Sequence, residues 1–277
     1  MNIKSLADLR KEFSTDFKCR TYLKKMRWVN GVTCPHCGNQ PVLYMKNVKR
    51  WLCSECKAQF SLTSQTIFHG SKTPLPKWFE AIWLVCHSPK GISAMQLKRE
   101  IGVTYKCAWR IGKQVRKAMR NNNFDDKLCG IVEVDETEVK SSGGGGGSTK
   151  SIVFGMVERD GFLRMSIIQN FKTMTIERVI SQNFNNVKHI YSDGGHWLRF
   201  LKKYGKHDYI KHYQQYCDGK IHTNTIESVW SLLKRGIVGV FHHISTKYLQ
   251  SYLDEFSFRF SFRKDKSSMF DAVLSSC

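Results

Sequence analysis

The chain has 277 residues, 41% of them hydrophobic, and a formal net charge of +21. That length and apolar content suit two or three folded domains and exclude a disordered or fibrous chain. No apolar run approaches the roughly 20 residues that span a bilayer, and the start MNIKSLADLRKEF lacks a signal-peptide core, so a cytoplasmic protein with no membrane partner is expected.

The first elements are metal knuckles. Cys34-Pro-His-Cys37 and Cys53-Ser-Glu-Cys56 form a CxxC…CxxC pair. Thiolates three residues apart on a tight turn share one ion, and two such turns complete a closed tetrahedral site, which is structural and suits one Zn²⁺. Gly38 supplies the positive φ the first knuckle needs, and VLYMKNVKRWLC between the knuckles reads as a hairpin. His36 is a bystander on this reading. The other six cysteines are scattered, which fits a reducing compartment.

Three helices are predicted next. LPKWFEAIWLVCH starts after Pro74 and ends before Pro89; ISAMQLKREIG stops at Gly102; TYKCAWRIGKQVRKAM opens with Thr104 as N-cap. The last two, joined by a short glycine-containing turn, fit a helix-turn-helix. Ala108, Ile111, Gly112, Val115 and Met119 form its inward stripe, whereas Lys106, Arg110, Lys113 and Lys117 form a second stripe that would present cations to DNA, or else a solvated basic face. Residues 1–130 carry a balance of +16 and residues 131–277 one of +5, so the basic excess belongs to these N-terminal modules. The expected domains are 1–70 (N-terminal helix and zinc ribbon), 71–125 (helix-turn-helix) and 126–277.

After a polar stretch at 121–130 the pattern changes. GIVEVDETEVK alternates like a strand with Asp135 in its middle, SSGGGGGSTK reads as a flexible loop, and IVFGMVERDGFLRMSIIQ as a hairpin turning at Arg159-Asp160-Gly161. A helix (TMTIERVISQNF), a strand ending on Asp193 (HIYSDGG), a helix (HWLRFLKKYG) and a fifth strand (DYIKHYQQY) follow. In HTNTIESVWSLLKRG, Ile226, Val229, Trp230, Leu233 and Ile237 recur at helical period, with Glu227 and Lys234 on the border of the stripe beside Asn224 and Ser231. A further amphipathic helix covers STKYLQSYLDEFSFRFSFRK. This order predicts an α/β (α+β) mixed sheet of ribonuclease-H-like type, with the first and fourth strands side by side. Asp135 and Asp193 would then meet at one sheet edge, and the helix bearing Glu227 would cross it. Taken singly, each acid also reads as ordinary: Glu133, Asp135 and Thr137 share a face that could be solvated, Glu136 and Glu138 point to the other face, and Asp193 before Gly-Gly suits a turn.

With these residues in place, the chain resembles the DDE transposases of bacterial insertion sequences, in the zinc-ribbon (ISXO-like) branch related to the Merlin elements. The likeness covers nearly the whole chain and is carried by the two knuckles, Val134-Asp135-Glu136-Thr137, Ser192-Asp193-Gly194 and HTNTIESVWSLLKRGIVGVFHHIS. It implies Asp135, Asp193 and Glu227 as ligands of two Mg²⁺ (or Mn²⁺) ions, with Lys234 as the basic residue that follows the third acid. The pentaglycine after Lys140 departs from the family pattern. The resemblance further implies binding to terminal inverted repeats, cleavage and strand transfer on double-stranded DNA, a homo-oligomer on that DNA, and association with a bacterial nucleoid. The rival expectations are a catalytically silent DNA-binding regulator and a structure-selective nuclease of the same fold.

Overall fold

The computed structural model describes residues 3–122, 127–142, 148–193, 196–210 and 222–276. The chain divides into two units. One comprises residues 1–88, 94–121 and 265–277; the other comprises 89–93 and 122–264.

The first unit begins with α1 (Leu6–Glu12) and α2 (Asp16–Arg27). A capping box starts α1: Ser5 Oγ accepts from the Asp8 amide, and the Asp8 carboxylate accepts from that of Ser5. A three-stranded antiparallel sheet follows, of β1 (Val42–Met45), β2 (Arg50–Cys53) and β3 (Gln59–Phe60). Then come α3 (Leu75–His87), α4 (Ala94–Ile101) and α5 (Tyr105–Asn122). Gly102, at φ +61°, closes α4 by donating to the Lys98 carbonyl, and the Thr104 hydroxyl accepts from the Cys107 amide to open α5.

The last helix, α9 (Lys266–Ser275), also belongs to this unit. Phe79 meets both Phe13 and Phe270 edge-to-face, Phe270 lies tilted against Phe13, and Tyr22 donates to Asp271 at 2.6 Å. The domain drawn from the sequence as 126–277 therefore loses its final residues to the N-terminal unit. Helical period shows that 266–275 has an apolar face and says nothing about which partner receives it.

The second unit is built on a five-stranded mixed sheet of order β6-β5-β4-β7-β8. Its strands are β4 (Leu128–Ser142), β5 (Ser148–Glu158), β6 (Leu163–Ile168), β7 (Phe184–Ser192) and β8 (Lys206–Tyr209). The first three form an antiparallel meander, and β7 and β8 run parallel to β4. This is the ribonuclease-H-like arrangement expected, with the first and fourth strands paired. The pentaglycine lies at 143–147, outside the described residues, but its flanks extend both strands. Most of DYIKHYQQY also lies outside them, and β8 occupies only its start. The expected helix at residues 196–203 is of 3-10 type.

Strand alternation sorts the core. Val132, Val134, Phe154, Met156 and Ile190 face α6 (Thr173–Asn183) and the 3-10 helix through Ile176, Ile180, Leu198 and Leu201. On the other face Val139, Val153, Val157 and Leu163 pack with α7 (Asn224–Gly236) and α8 (Thr246–Ser261) through Ile226, Trp230, Leu233, Leu253 and Phe256. The predicted stripe of α7, from Ile226 to Ile237, is buried throughout.

Candidate active site

Two clusters of metal-type ligands occur among the described residues, one in each unit. In the first, Cys34 and Cys56 sulfurs lie 3.6 Å apart, as do those of Cys37 and Cys53. A tetrahedral ion with metal–sulfur bonds of about 2.3 Å has a sulfur–sulfur edge of about 3.8 Å, so the four thiols fit one such ion. The turns that bring them together use Gly38 at φ +75° and, in the second knuckle, Lys57 at φ +56°. The Cys56 and Glu55 amides point at the Cys53 sulfur and bring its thiol down to about 7. Phe60, Trp28 and Trp51 pack beneath the cluster. His36 stands apart and meets Gln65 at 3.2 Å.

The second cluster grows from β4. Asp135 lies opposite Gly155 of β5, and the parallel register that pairs Glu133 with Tyr191 sets Asp135 level with Asp193, just past the end of β7. One carboxylate oxygen each of Asp135, Glu136 and Asp193 lies within 4.8 Å of the others. Trp230 Nε1 donates to Asp135 Oδ2 at 2.8 Å and fixes that carboxylate. Burial, helped by the charges of Asp193 and Glu227 and opposed by the Trp230 bond, raises Asp135 to about 6. Burial, followed by Asp193 and Asp135, raises Glu136 to about 8. Glu136 Oε2 is buried with no hydrogen-bond partner. Crowded acids and an orphaned buried oxygen suit an arrangement for divalent cations.

Glu136 corrects the sequence reading, which turned it away from Asp135. Its Cβ does lie on the α6 side of the strand. A glutamate carboxyl is carried one methylene beyond Cβ, and its oxygen reaches the group. Glu227, in the first turn of α7, is exposed and accepts from Thr223 Oγ1 at 3.1 Å. Its charge acts on Asp135, but it stands outside the group of three. Lys234, Asn224 and Ser231 are exposed on the same side of α7.

The placement of α7 depends on two residues that the sequence did not single out. No side chain of its own caps the helix. Instead Glu133, fully buried in β4, accepts from the Thr225 and Ile226 amides at 2.8 and 3.1 Å and from the Thr225 hydroxyl at 2.9 Å. A carboxylate there satisfies orphan amides and meets the positive end of the helix. Arg159, in the β5–β6 turn, binds Glu133 at 2.8 Å and donates to the His222 ring and carbonyl. Its guanidinium lies 4.4 Å from the centre of the Tyr191 ring. The lack of a local cap beside a strand of alternating acids was the available signal.

Gly155 sets the depth of α7. A Cβ there would lie 2.4 Å from the Trp230 ring and 2.9 Å from Ile226 Cδ1. Gly155→Val should cost about 1–3 kcal/mol by overpacking, unless the helix lifts away from β5. Urea denaturation checks the cost, and near-UV circular dichroism reads the release of Trp230; an unchanged unfolding midpoint would refute the fit.

The four cations predicted on α5 are exposed, opposite a buried stripe of Ala108, Ile111, Val115 and Met119. Arg110 also donates to the His69 carbonyl at 3.3 Å, and Lys113 lies 5.6 Å from the Trp109 ring centre.

Comparison with known proteins adds four likenesses. Residues 127–261 match the ISXO2-like transposase domain, and residues 14–59 match the transposase zinc-ribbon domain. An uncharacterized protein in transposable element ISH50 of Halobacterium salinarum is 28% identical over 294 aligned positions, covering 95% of this chain and 97% of that protein. The catalytic core domain of BIV integrase aligns with 45% of this chain and 80% of its own at 18% identity, with a TM-score of 0.32. No described helix is long and apolar enough to cross a membrane.

Proposed function

Because the chain belongs to the ISXO2-like transposases, we propose that it binds the terminal inverted repeats of an insertion sequence, cleaves DNA at the element ends and joins the freed 3′ hydroxyls to target DNA. The observation that carries the chemistry is the meeting of Asp135 and Glu136, midway along β4, with Asp193, just past the end of β7, while Glu227 acts on Asp135 from α7.

Asp135, Asp193 and Glu227 hold two Mg²⁺ or Mn²⁺ ions on this reading, and Glu136 supplies a fourth carboxylate. Bound there, the pair would activate the attacking oxygen and stabilise the leaving alkoxide. The protein's own part is placement. Trp230 holds the Asp135 carboxylate in one orientation, and Glu133 with Arg159 fixes the helix that carries Glu227. Lys234, two turns after Glu227, neutralises a phosphate on the same side. Lys106, Arg110, Lys113 and Lys117 face the duplex from α5, the second helix of a helix-turn-helix. Joining two element ends calls for a homo-oligomer on DNA, working at the bacterial nucleoid in the cytoplasm.

The test is a Mg²⁺-dependent cleavage and strand-transfer assay on a duplex carrying the repeats that flank the reading frame. Sequence-independent cleavage of branched DNA would instead point to a structure-selective nuclease, and repeat binding without cleavage to a silent regulator.

The four thiols are assigned to one structural Zn²⁺. Removing it with a chelator should unfold the ribbon, since structural zinc contributes about 10–16 kcal/mol to such modules. Tryptophan emission should shift to the red as Trp28 and Trp51 lose their packing, and Cys53→Ser should copy the effect. A ribbon that keeps its emission after complete metal removal would sink the assignment.

A further inference from the structure

A cleft of about 670 Å³ between α2 and the β1–β2 hairpin takes no part in the scheme above. Its aromatic wall comprises Trp51, Tyr44, whose ring centre is 5.0 Å from that of Trp51, and Phe17 on α2. Phe17 is 78% exposed and Tyr44 47%. Rings of this size left open in a cleft offer flat apolar faces to a partner. The rim is cationic, with Arg20, Lys24 and Lys49, and Lys24 Nζ lies 5.9 Å from the Trp51 ring centre. The acid in the lining, Asp16, is already paired with Arg20 at 2.5 Å. Residues 14–59 as a whole carry nine Lys/Arg against two Asp/Glu.

The matching ligand has flat apolar faces strung on an anionic chain. A duplex hides those faces in its stack, whereas an unpaired strand offers them. A second copy of the chain fits less well, because at +21 it would bring like charge to a cationic rim. We infer that this cleft binds unpaired nucleotides of a DNA strand, with bases against Tyr44 and Phe17 over Trp51 and phosphates against Arg20, Lys24 and Lys49. The inference rests on the proposed DNA-joining function, since cutting at an element end is what presents an unpaired strand.

The experiment measures binding of full-length protein to labelled dT16 and to a blunt duplex by fluorescence anisotropy at fixed salt. The Phe17→Ala/Tyr44→Ala variant should bind dT16 more weakly by about 5- to 150-fold for each stacked base lost, while blunt duplex binding is unchanged. Tyr44→Phe should bind dT16 like the parent. Zinc content and a thermal melt confirm that the variants fold; both replaced rings are exposed. Unchanged dT16 binding by the double variant would overturn the inference. An equal loss in Tyr44→Phe and Tyr44→Ala would do the same. Unchanged dT16 binding together with a dimer-to-monomer shift in sedimentation would assign the cleft to a second copy. Failure of the transposase reading shows elsewhere, as absent metal-dependent cleavage of the repeat-bearing duplex with dT16 binding intact.

Discussion

Asp193→Asn should abolish Mg²⁺-dependent cleavage and strand transfer on a repeat-bearing duplex, by at least about a thousandfold, the upper scale for losing one electrostatic contact to the transition state. Binding to the repeats should survive, because Asp193 follows β7 in the second unit and the basic modules lie in the first. Asp135→Asn should behave alike and also weaken the Trp230 contact. Retained cleavage in either variant would refute the assignment. Thermal melts of the parent supply a readout independent of activity. Asp135 is raised from 3.8 to about 6 and Glu136 from 4.5 to about 8, so the folded state binds protons more tightly than the unfolded chain does. For such acids stability is greatest at low pH and falls as pH rises through these windows. A bound divalent cation offsets that loss. Mn²⁺ should therefore raise Tm more at pH 8.5 than at pH 5, and the increment should shrink in Asp193→Asn.

Glu133→Ala should carry the largest stability cost in the second unit, about 3–5 kcal/mol, because it removes one partner of a buried pair. The side chain of Arg159 is 19% exposed and would lose its carboxylate, and two amides at the start of α7 would lose their acceptor. At about 2–4 °C per kcal/mol for a unit of this size, Tm should drop by roughly 10 °C. Replacing both members of the pair with methionine should recover part of the loss, since no buried charge is then left alone. A change of less than about 1 kcal/mol in Glu133→Ala would mean that α7 is held by its apolar stripe alone.

These two experiments probe residues that differed in how visible they were in the sequence. Asp135 and Asp193 could be placed because strand order and parallel pairing follow from the alternation of elements, and neighbouring parallel strands bring their ends level. The stripe of α7 could be placed because burial follows helical period. Glu136 was set on the right face, but its carboxyl was not foreseen in the group, because the two-residue period of a strand orients the Cβ, not a carboxyl carried beyond it. The part played by Glu133 was not legible, because its partners, Arg159 and the first turn of α7, are distant in sequence and meet it only through the fold. The return of α9 was not legible for a related reason: periodicity reports that a face is apolar, and tertiary packing decides its partner.

That return of α9 bears on how the protein is made. The aromatic cluster of Phe13, Phe79 and Phe270 joins residues far apart in sequence. A chain still being synthesised has no Phe270 to close the cluster, although the first unit contains most of the residues made first. The sheet of the second unit, whose last flanking helix ends at Ser261, can be complete earlier. The first unit is thus completed only after the residues of that sheet have been made, and a chain without residues 265–277 would keep the sheet and leave the aromatic cluster open.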